Sequence, residues 1–320
     1  MISRRLLRIK TLHILFAFFR GDNDSLGKAE KELLHSIRKG YDLYHYLFLL
    51  LLEIHNYAEK RIDMARNKLM PSQQDLNPNT RFIDNPLLKL LAENESISEH
   101  LAFNKLSWVN YPELIKKFYQ KIFASDYFNS YMSSETCTFQ DHRQVLVNIL
   151  TKELIDFEDF EQCLEEQSIY WNDDVDFMIG MVVKTLKKFK EDQPESTPVL
   201  PMYKNEEDED FAKKLLRKVV LKHQENVKVI DSYTKNWDID RIAGMDILIM
   251  EMALTEITEF PSVPVKVSFN EYIEISKYYS TDQSSVFING VLDKIIASLR
   301  KDNLINKQGR GLVGEEGDLS

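Results

Sequence analysis

An all-α protein is predicted from three observations. Glycine (10) and proline (9) together make up about 6% of the 320 residues, roughly half of average usage. No glycine occurs between Gly40 and Gly180, and no proline between Pro112 and Pro194. Apolar residues recur at spacings of three and four along most of the chain, the period of a helix with one buried face. A multi-stranded sheet needs a turn about every 8–12 residues, so an all-β fold is nearly excluded.

The first twenty residues read as one amphipathic helix, with Leu6, Ile9, Leu12, Leu15 and Phe16 on its stripe, ended by Gly21-Asp22-Asn23-Asp24. A long helical pattern follows over 25–69, striped by Tyr41, Tyr44, Leu47, Leu51, Ile54 and Ala58. Pro71, Pro78 and Pro86 break the periodicity over 70–86. Further helices are expected at 87–101, 112–131, 139–155, 157–169 and 173–192. Gln193-Pro194-Glu195-Ser196-Thr197-Pro198 reads as a linker, and 206–210 is an acidic run. Beyond it, helices are expected at 209–222, 224–235, 239–259, 269–280 and 284–300. The glycine-rich, acidic end, 309–320, reads as a disordered tail. An internal echo relates Trp171-Asn172-Asp173-Asp174 to Trp237-Asp238-Ile239-Asp240. It fits either a decayed duplication or the general likeness of amphipathic helices.

Composition bounds the function. With 43% hydrophobic and 29% charged residues the chain is a folded, soluble type. Cys137 and Cys163 form neither a metal-type pair nor a disulfide framework, so the cytoplasm is the expected compartment. The longest apolar run, Tyr46 to Leu52, is far short of the roughly 20 residues of a membrane span. Arg4, Arg5, Arg8 and Lys10 alternate with apolar residues without a cleavage site, unlike a secretory signal, although a transit peptide has similar composition. A net charge of −10 argues against a wholly cationic nucleic-acid binder, while leaving room for a local basic patch.

No phosphate-binding glycine loop, dinucleotide fingerprint or nucleophile elbow is present. The histidines form no metal-type pair. His45 and His55 are ten residues apart and read as core or surface side chains rather than ligands. No catalytic residue, metal or cofactor is predicted. Binding chemistry remains: Arg4, Arg5 and Arg8 fall on the first two turns of a helix, where guanidinium groups can grip phosphates and stack on unpaired bases. They sit at the positive end of the helix dipole, which disfavours cations. Lys214, Arg217, Lys218 and Lys222 form a second basic row, read as a solvated face neutralised by the acidic run.

The C-terminal ninety residues resemble the NusB family of transcription antitermination factors. The resemblance is carried by Trp237-Asp238-Ile239-Asp240-Arg241-Ile242, by Met252-Ala253-Leu254-Thr255-Glu256-Ile257, by Val263-Pro264-Val265 through Asn270-Glu271, and above all by Phe287-Ile288-Asn289-Gly290-Val291-Leu292-Asp293-Lys294. Arg4-Arg5-Leu6-Leu7-Arg8 through Leu15-Phe16 is similar to the family's opening helix. In this reading Asn270 caps the helix it opens. Gly290 sits mid-helix, at a cost of about 1 kcal/mol against alanine, for a close helix crossing or for a backbone open to a ligand.

The resemblance implies an all-α domain that pairs with NusE, binds single-stranded boxA-type RNA of ribosomal RNA transcripts, and acts on the RNA polymerase elongation complex. It further implies an RNA surface of Arg4, Arg5, Arg8, Gln283, Ser285, Phe287 and Asn289, and a partner surface including Phe16 and Asp246. Four departures stand out. The family's arginines after the aspartate correspond to Ile247 and Glu251, a basic residue to Val286, and a tyrosine to Phe16. The expected organisation is residues 1–20 and 209–302 as the family domain, 21–208 as a helical insertion, and 303–320 as a tail. Two other readings follow from the departures: a helical interaction module that has lost RNA binding, and an accessory domain of an RNA methyltransferase.

Overall fold

The computed structural model describes residues 1–21, 25–191, 199–234, 243–281 and 283–314. The predicted linker 193–198, the motif 237–242 and the last six residues lie outside them. Among the described residues the regular structure is entirely helical. In chain order the α-helices are α1 (Arg4–Arg20), α2 (Leu26–Arg66), α3 (Gln73–Leu76), α4 (Pro86–Ala92), α5 (Glu95–Phe103), α6 (Pro112–Ala124) and α7 (Asp126–Ser133). They continue as α8 (Phe139–Asn148), α9 (Glu158–Gln167), α10 (Val175–Leu186), α11 (Glu206–Tyr233), α12 (Gly244–Glu259), α13 (Val265–Tyr279) and α14 (Ser284–Lys301).

The chain divides into two compact units. The first is Met1–Ile2 with Arg38–Met202, and the second is Ser3–Ile37 with Tyr203–Ser320. The dividing points therefore fall inside α2 and after Met202, where the sequence reading put 21 and 208.

The first unit has an aromatic core. Tyr46 stacks on Trp108 at 3.9 Å, and the Trp171 indole donates to the Lys39 carbonyl at 2.7 Å. The Tyr44 hydroxyl meets Thr185 at 2.7 Å and accepts from the Leu200 amide at 3.0 Å, so a buried polar tip is satisfied at both ends. The predicted helix 112–131 is broken at Ser125, and 139–155 ends in a π-helical turn, Ile149–Glu153. His45 lies buried, stacked at 3.8 Å on His100, and burial lowers its pKa to about 4. His55 donates to the Ile83 carbonyl at 2.8 Å. Among the described residues no group of three or more His, Cys, Asp or Glu is placed to hold a metal ion, and no helix is long and apolar enough to cross a membrane.

In the second unit α12 is the central helix. Leu248 to Ile257 are all buried, as expected of a helix apolar on every side. It packs against α1, α11, α13 and α14. The two helices expected over 209–235 are one, α11, running straight through His223. Four acidic residues, Glu206 to Glu209, fill its first turn, where the dipole favours them.

Two further expectations are corrected. The helix expected to open at Asn270 starts at Val265, capped by Pro264, so Asn270 lies in its second turn and caps nothing. Pro264 sets that start, because proline supplies a fixed φ and needs no donor. The tail read as disordered from 309 docks instead as far as Gly311. The Lys307 ammonium donates to the Phe260 carbonyl at 3.0 Å and the Gln308 amide to the Pro261 carbonyl at 2.9 Å. A Cβ on Gly311 would lie 1.9 Å from the Pro261 oxygen, so only glycine fits there.

Candidate nucleic-acid interface

Helix α1 begins with the Ser3 side chain accepting from the Leu6 amide at 3.2 Å. The three arginines that follow have three different fates. Arg4 is half-buried, its guanidinium 2.9 Å from Asp208 of α11 and 5.0 Å from the centre of the Phe211 ring. Arg5 is the most open, with 42% of its side chain exposed, and makes two parallel bonds of 2.8 Å to Glu271 of α13. Those bonds, more than the nearby charges, hold the Glu271 carboxyl below its ordinary value.

Arg8 is only 2% exposed. It pairs with Glu256 of α12 through bonds of 2.8 and 2.5 Å, and the same carboxylate accepts from Ser268 at 2.8 Å and Tyr272 at 2.9 Å. Burial opposes the charge on Arg8, and the Glu256 charge and bonds outweigh it, leaving the arginine pKa raised. A buried carboxylate with four donors and a buried guanidinium with two acceptor oxygens form a closed unit. The sequence reading placed Arg8 on the RNA surface. The structure places it in the core, where its guanidinium is unavailable to a phosphate.

At the other candidate segment, Gln283 and Asn289 are exposed and Ser285 and Phe287 half-buried. A helix turns by about 100° per residue. Gln283 and Phe287 therefore share one flank of α14, and Ser285 and Asn289 the other. Between the flanks Val286, 76% exposed, and Gly290 form an open crest. A Cβ on Gly290 would meet nothing within 4 Å, which removes the close-crossing explanation and leaves an accessible backbone. Ile288 and Leu292 are buried beneath.

Helices α1 and α13 run in the same direction, since Arg5 meets Glu271 and His13 meets Tyr279 ring to ring at 5.1 Å. The arginines therefore lie some eight residues, about 12 Å along the axis, from the α13–α14 junction. The predicted residues form two patches rather than one.

Asp246, expected on the partner surface, is 5% exposed. Its carboxylate accepts from Ser284 at 2.8 Å and from Ser280, so it ties the first turn of α12 to the start of α14. This makes it a positioning residue for Gln283 to Asn289. Phe16 is half-buried and open enough for the Arg20 guanidinium to stack on it at 4.4 Å. Ile247 is half-buried and Glu251 buried. The Glu251 carboxylate meets His223 Nδ1 at 2.8 Å, and burial pushes its pKa up to about 7, with the His223 bond pulling the other way. His223 in turn stacks on Phe19 at 4.3 Å. The basic row on α11 is met by acids other than the run expected to neutralise it: Arg217 pairs with Glu30, and both Lys218 and Lys222 with Glu259.

Sequence reasoning missed the acidic partners Asp208, Glu256 and Glu271. The one available signal was Glu256 itself, a carboxylate inside the apolar string Met252 to Ile257.

A helical bundle with an arginine-bearing first helix and, about 12 Å from it along the axis, a polar, aromatic helix start belongs to the all-α class. The chain is a member of the NusB family. A profile of that family matches residues 180–297, a span that begins inside α10 and takes in α11 to α14. A Salinibacter ruber protein named transcription antitermination protein NusB is 42% identical over 115 residues, covering 36% of this chain and 72% of the relative. Proteins of the same name are 40% identical over 104 residues in Chloroherpeton thalassium and over 87 in Natranaerobius thermophilus, covering 49% and 63% of those chains. No solved structure matches the chain.

Proposed function

We propose that this protein is a cytoplasmic RNA-binding transcription antitermination factor, acting with NusE on boxA-type single-stranded RNA of ribosomal RNA transcripts in the RNA polymerase elongation complex. The observation that carries the reading is Arg5. It stands at the open end of α1, is paired with the part-buried Glu271 carboxylate, and lies in a string that resembles the family's arginine motif. A part-exposed ion pair contributes modestly to stability, and Glu271 keeps Arg8 at 3.7 Å when a phosphate takes Arg5. Arg4 stays on the buried Asp208 carboxylate and adds its charge beside Arg5, Phe287 offers a ring face for stacking, and Gln283, Ser285 and Asn289 offer donors and acceptors for bases. Arg8 is left out of this surface, Asp246 acts by positioning α14, and Phe16 faces the NusE side.

The test is fluorescence anisotropy with a boxA-type RNA and a scrambled control, with and without NusE, at two salt concentrations. Preference for boxA that strengthens with NusE is the expected result. Equal, negligible binding throughout would overturn it. The pairing of Arg4 and Arg5 with acids, together with Ile247 and Glu251 in place of arginines, would then favour the second reading, a protein-docking module of the same fold.

A further inference from the structure

Apart from the arginines of α1 and the start of α14, a cluster of lysines lies in the first unit, at the end of α10 and the turn after it, within the first residues of the family match. Lys184, Lys187, Lys188 and Lys190 are all exposed, while Thr185, Leu186 and Phe189 between them are buried. Helical bonding continues past Leu186: the Lys187 amide donates to the Val183 carbonyl at 3.1 Å and the Lys188 amide to Thr185 at 2.9 Å. Lys184, Lys187 and Lys188 are therefore i, i+3 and i+4 neighbours on one face.

Five other lysines of this unit are matched to carboxylates: Lys39 to Asp42, Lys68 to Asp75, Lys116 to Glu113, Lys117 to Asp159 and Lys121 to Glu153. Among the described residues Lys60, Lys89, Lys105 and Lys152 have no such partner, but they are scattered along the chain. Among the described residues no carboxylate pairs with Lys184, Lys187, Lys188 or Lys190. The Met1 amine, in the same unit, is held down to about 6 by burial and by the charges of Lys188 and Lys184, so the local field is unneutralised. A helix C-terminus favours cations, which accounts for Lys184 and Lys187 but not for Lys190 beyond the helical turns.

The chemistry selects the partner. Protein-binding surfaces have an apolar or aromatic centre and are depleted in lysine, whereas the exposed side here alternates lysine with buried positions and shows no aromatic. Lysine rows without apolar neighbours suit the phosphate backbone of a nucleic acid, which they hold in place without reading sequence.

We propose that Lys184, Lys187, Lys188 and Lys190 form a sequence-independent phosphate contact for RNA flanking the segment bound by the second unit. The inference rests on the RNA-binding reading above. It gives the first unit a role.

The test uses the full chain with NusE and two RNAs, a short boxA-type oligonucleotide and the same element extended by a uridine tract. Wild type is compared with a variant carrying Lys→Gln at 184, 187, 188 and 190, and with one carrying Lys→Arg there. Wild type should bind the extended RNA more tightly and with a steeper salt dependence. The Gln variant should lose that gain, its slope falling by about 0.7 per lost phosphate contact and so by up to roughly 3. Binding of the short RNA should be unchanged, and the Arg variant should behave as wild type. A Gln variant indistinguishable from wild type on the extended RNA overturns this proposal alone, as does an extension that adds no affinity. Competition by polyglutamate but not by polyuridine would assign the patch to an acidic protein and overturn it too. Failure of wild type to bind even the short RNA brings down the RNA-binding reading, and this proposal with it.

Discussion

The Arg8 guanidinium and the Glu256 carboxylate meet in a two-point pair, 248 residues apart in sequence and buried at the junction of α1, α12 and α13. Arg8 is drawn from a motif that reads as RNA-binding, yet the pair's geometry is that of a fold-holding contact.

Removing one member of a buried pair strands the other, which typically costs about 3–5 kcal/mol. Arg8→Ala should lower urea stability by that order. Arg8→Lys should rescue only part of it, since an ammonium cannot reproduce the bidentate fork. A loss under about 1 kcal/mol would contradict the assignment.

Arg5 should behave oppositely. Its pair with Glu271 is exposed enough that Arg5→Ala changes stability by less than about 1 kcal/mol. The same change should weaken RNA binding and lower the salt slope by about 0.7. Glu271→Gln, which frees the guanidinium, should tighten RNA binding. Titrations of both variants at several salt concentrations read these effects directly.

Glu251 should make stability depend on pH. Its pKa rises from an ordinary 4.5 to about 7 in the folded chain, so the folded state keeps a proton that the unfolded state has lost. That contribution is fully present below about 4.5 and is lost as pH rises to about 7, a change on the order of 3 kcal/mol. Glu251→Gln should flatten urea stability across this window and leave the variant more stable than wild type at pH 8.

The two glycines singled out above should respond in opposite directions. Gly311→Ala drives a Cβ into the Pro261 carbonyl and should cost about 1–3 kcal/mol, seen as earlier proteolysis of the tail. Gly290→Ala has open space, and mid-helix it should gain about 1 kcal/mol. If RNA approaches this backbone, the same substitution should weaken binding.

Much of the helical architecture was legible because apolar period and the scarcity of glycine and proline are local signals. The family was legible through the string from Phe287 to Lys294, which lies inside the matched span. The fate of Arg8 was not, since nothing near it in sequence announces a carboxylate on α12. Asp246 was misplaced for the same reason: its hydroxyl partners, Ser280 and Ser284, come from the end of α13 and the start of α14. Asn270 looked like a cap because caps are judged by residue type, whereas Pro264 decided the boundary five residues earlier. The tail was misread because acids and glycines signal disorder by composition, and the docking of Lys307 and Gly311 against Phe260 and Pro261 depends on a particular fit.

The separation of Arg8 from Glu256 also has a consequence in time. A ribosome adding about 5–20 residues per second needs on the order of 12–50 s between making the arginine and making its carboxylate. For most of that interval the apolar stripe of Leu6, Ile9, Leu12 and Leu15 has no groove to enter, because α11 begins only at Glu206 and α12 at Gly244. All of 38–202 is synthesised meanwhile and is free to fold first. Helix α1 is thus housed long after it is made, and a nascent chain stalled before α12 would display it to whatever chaperone or apolar surface is near.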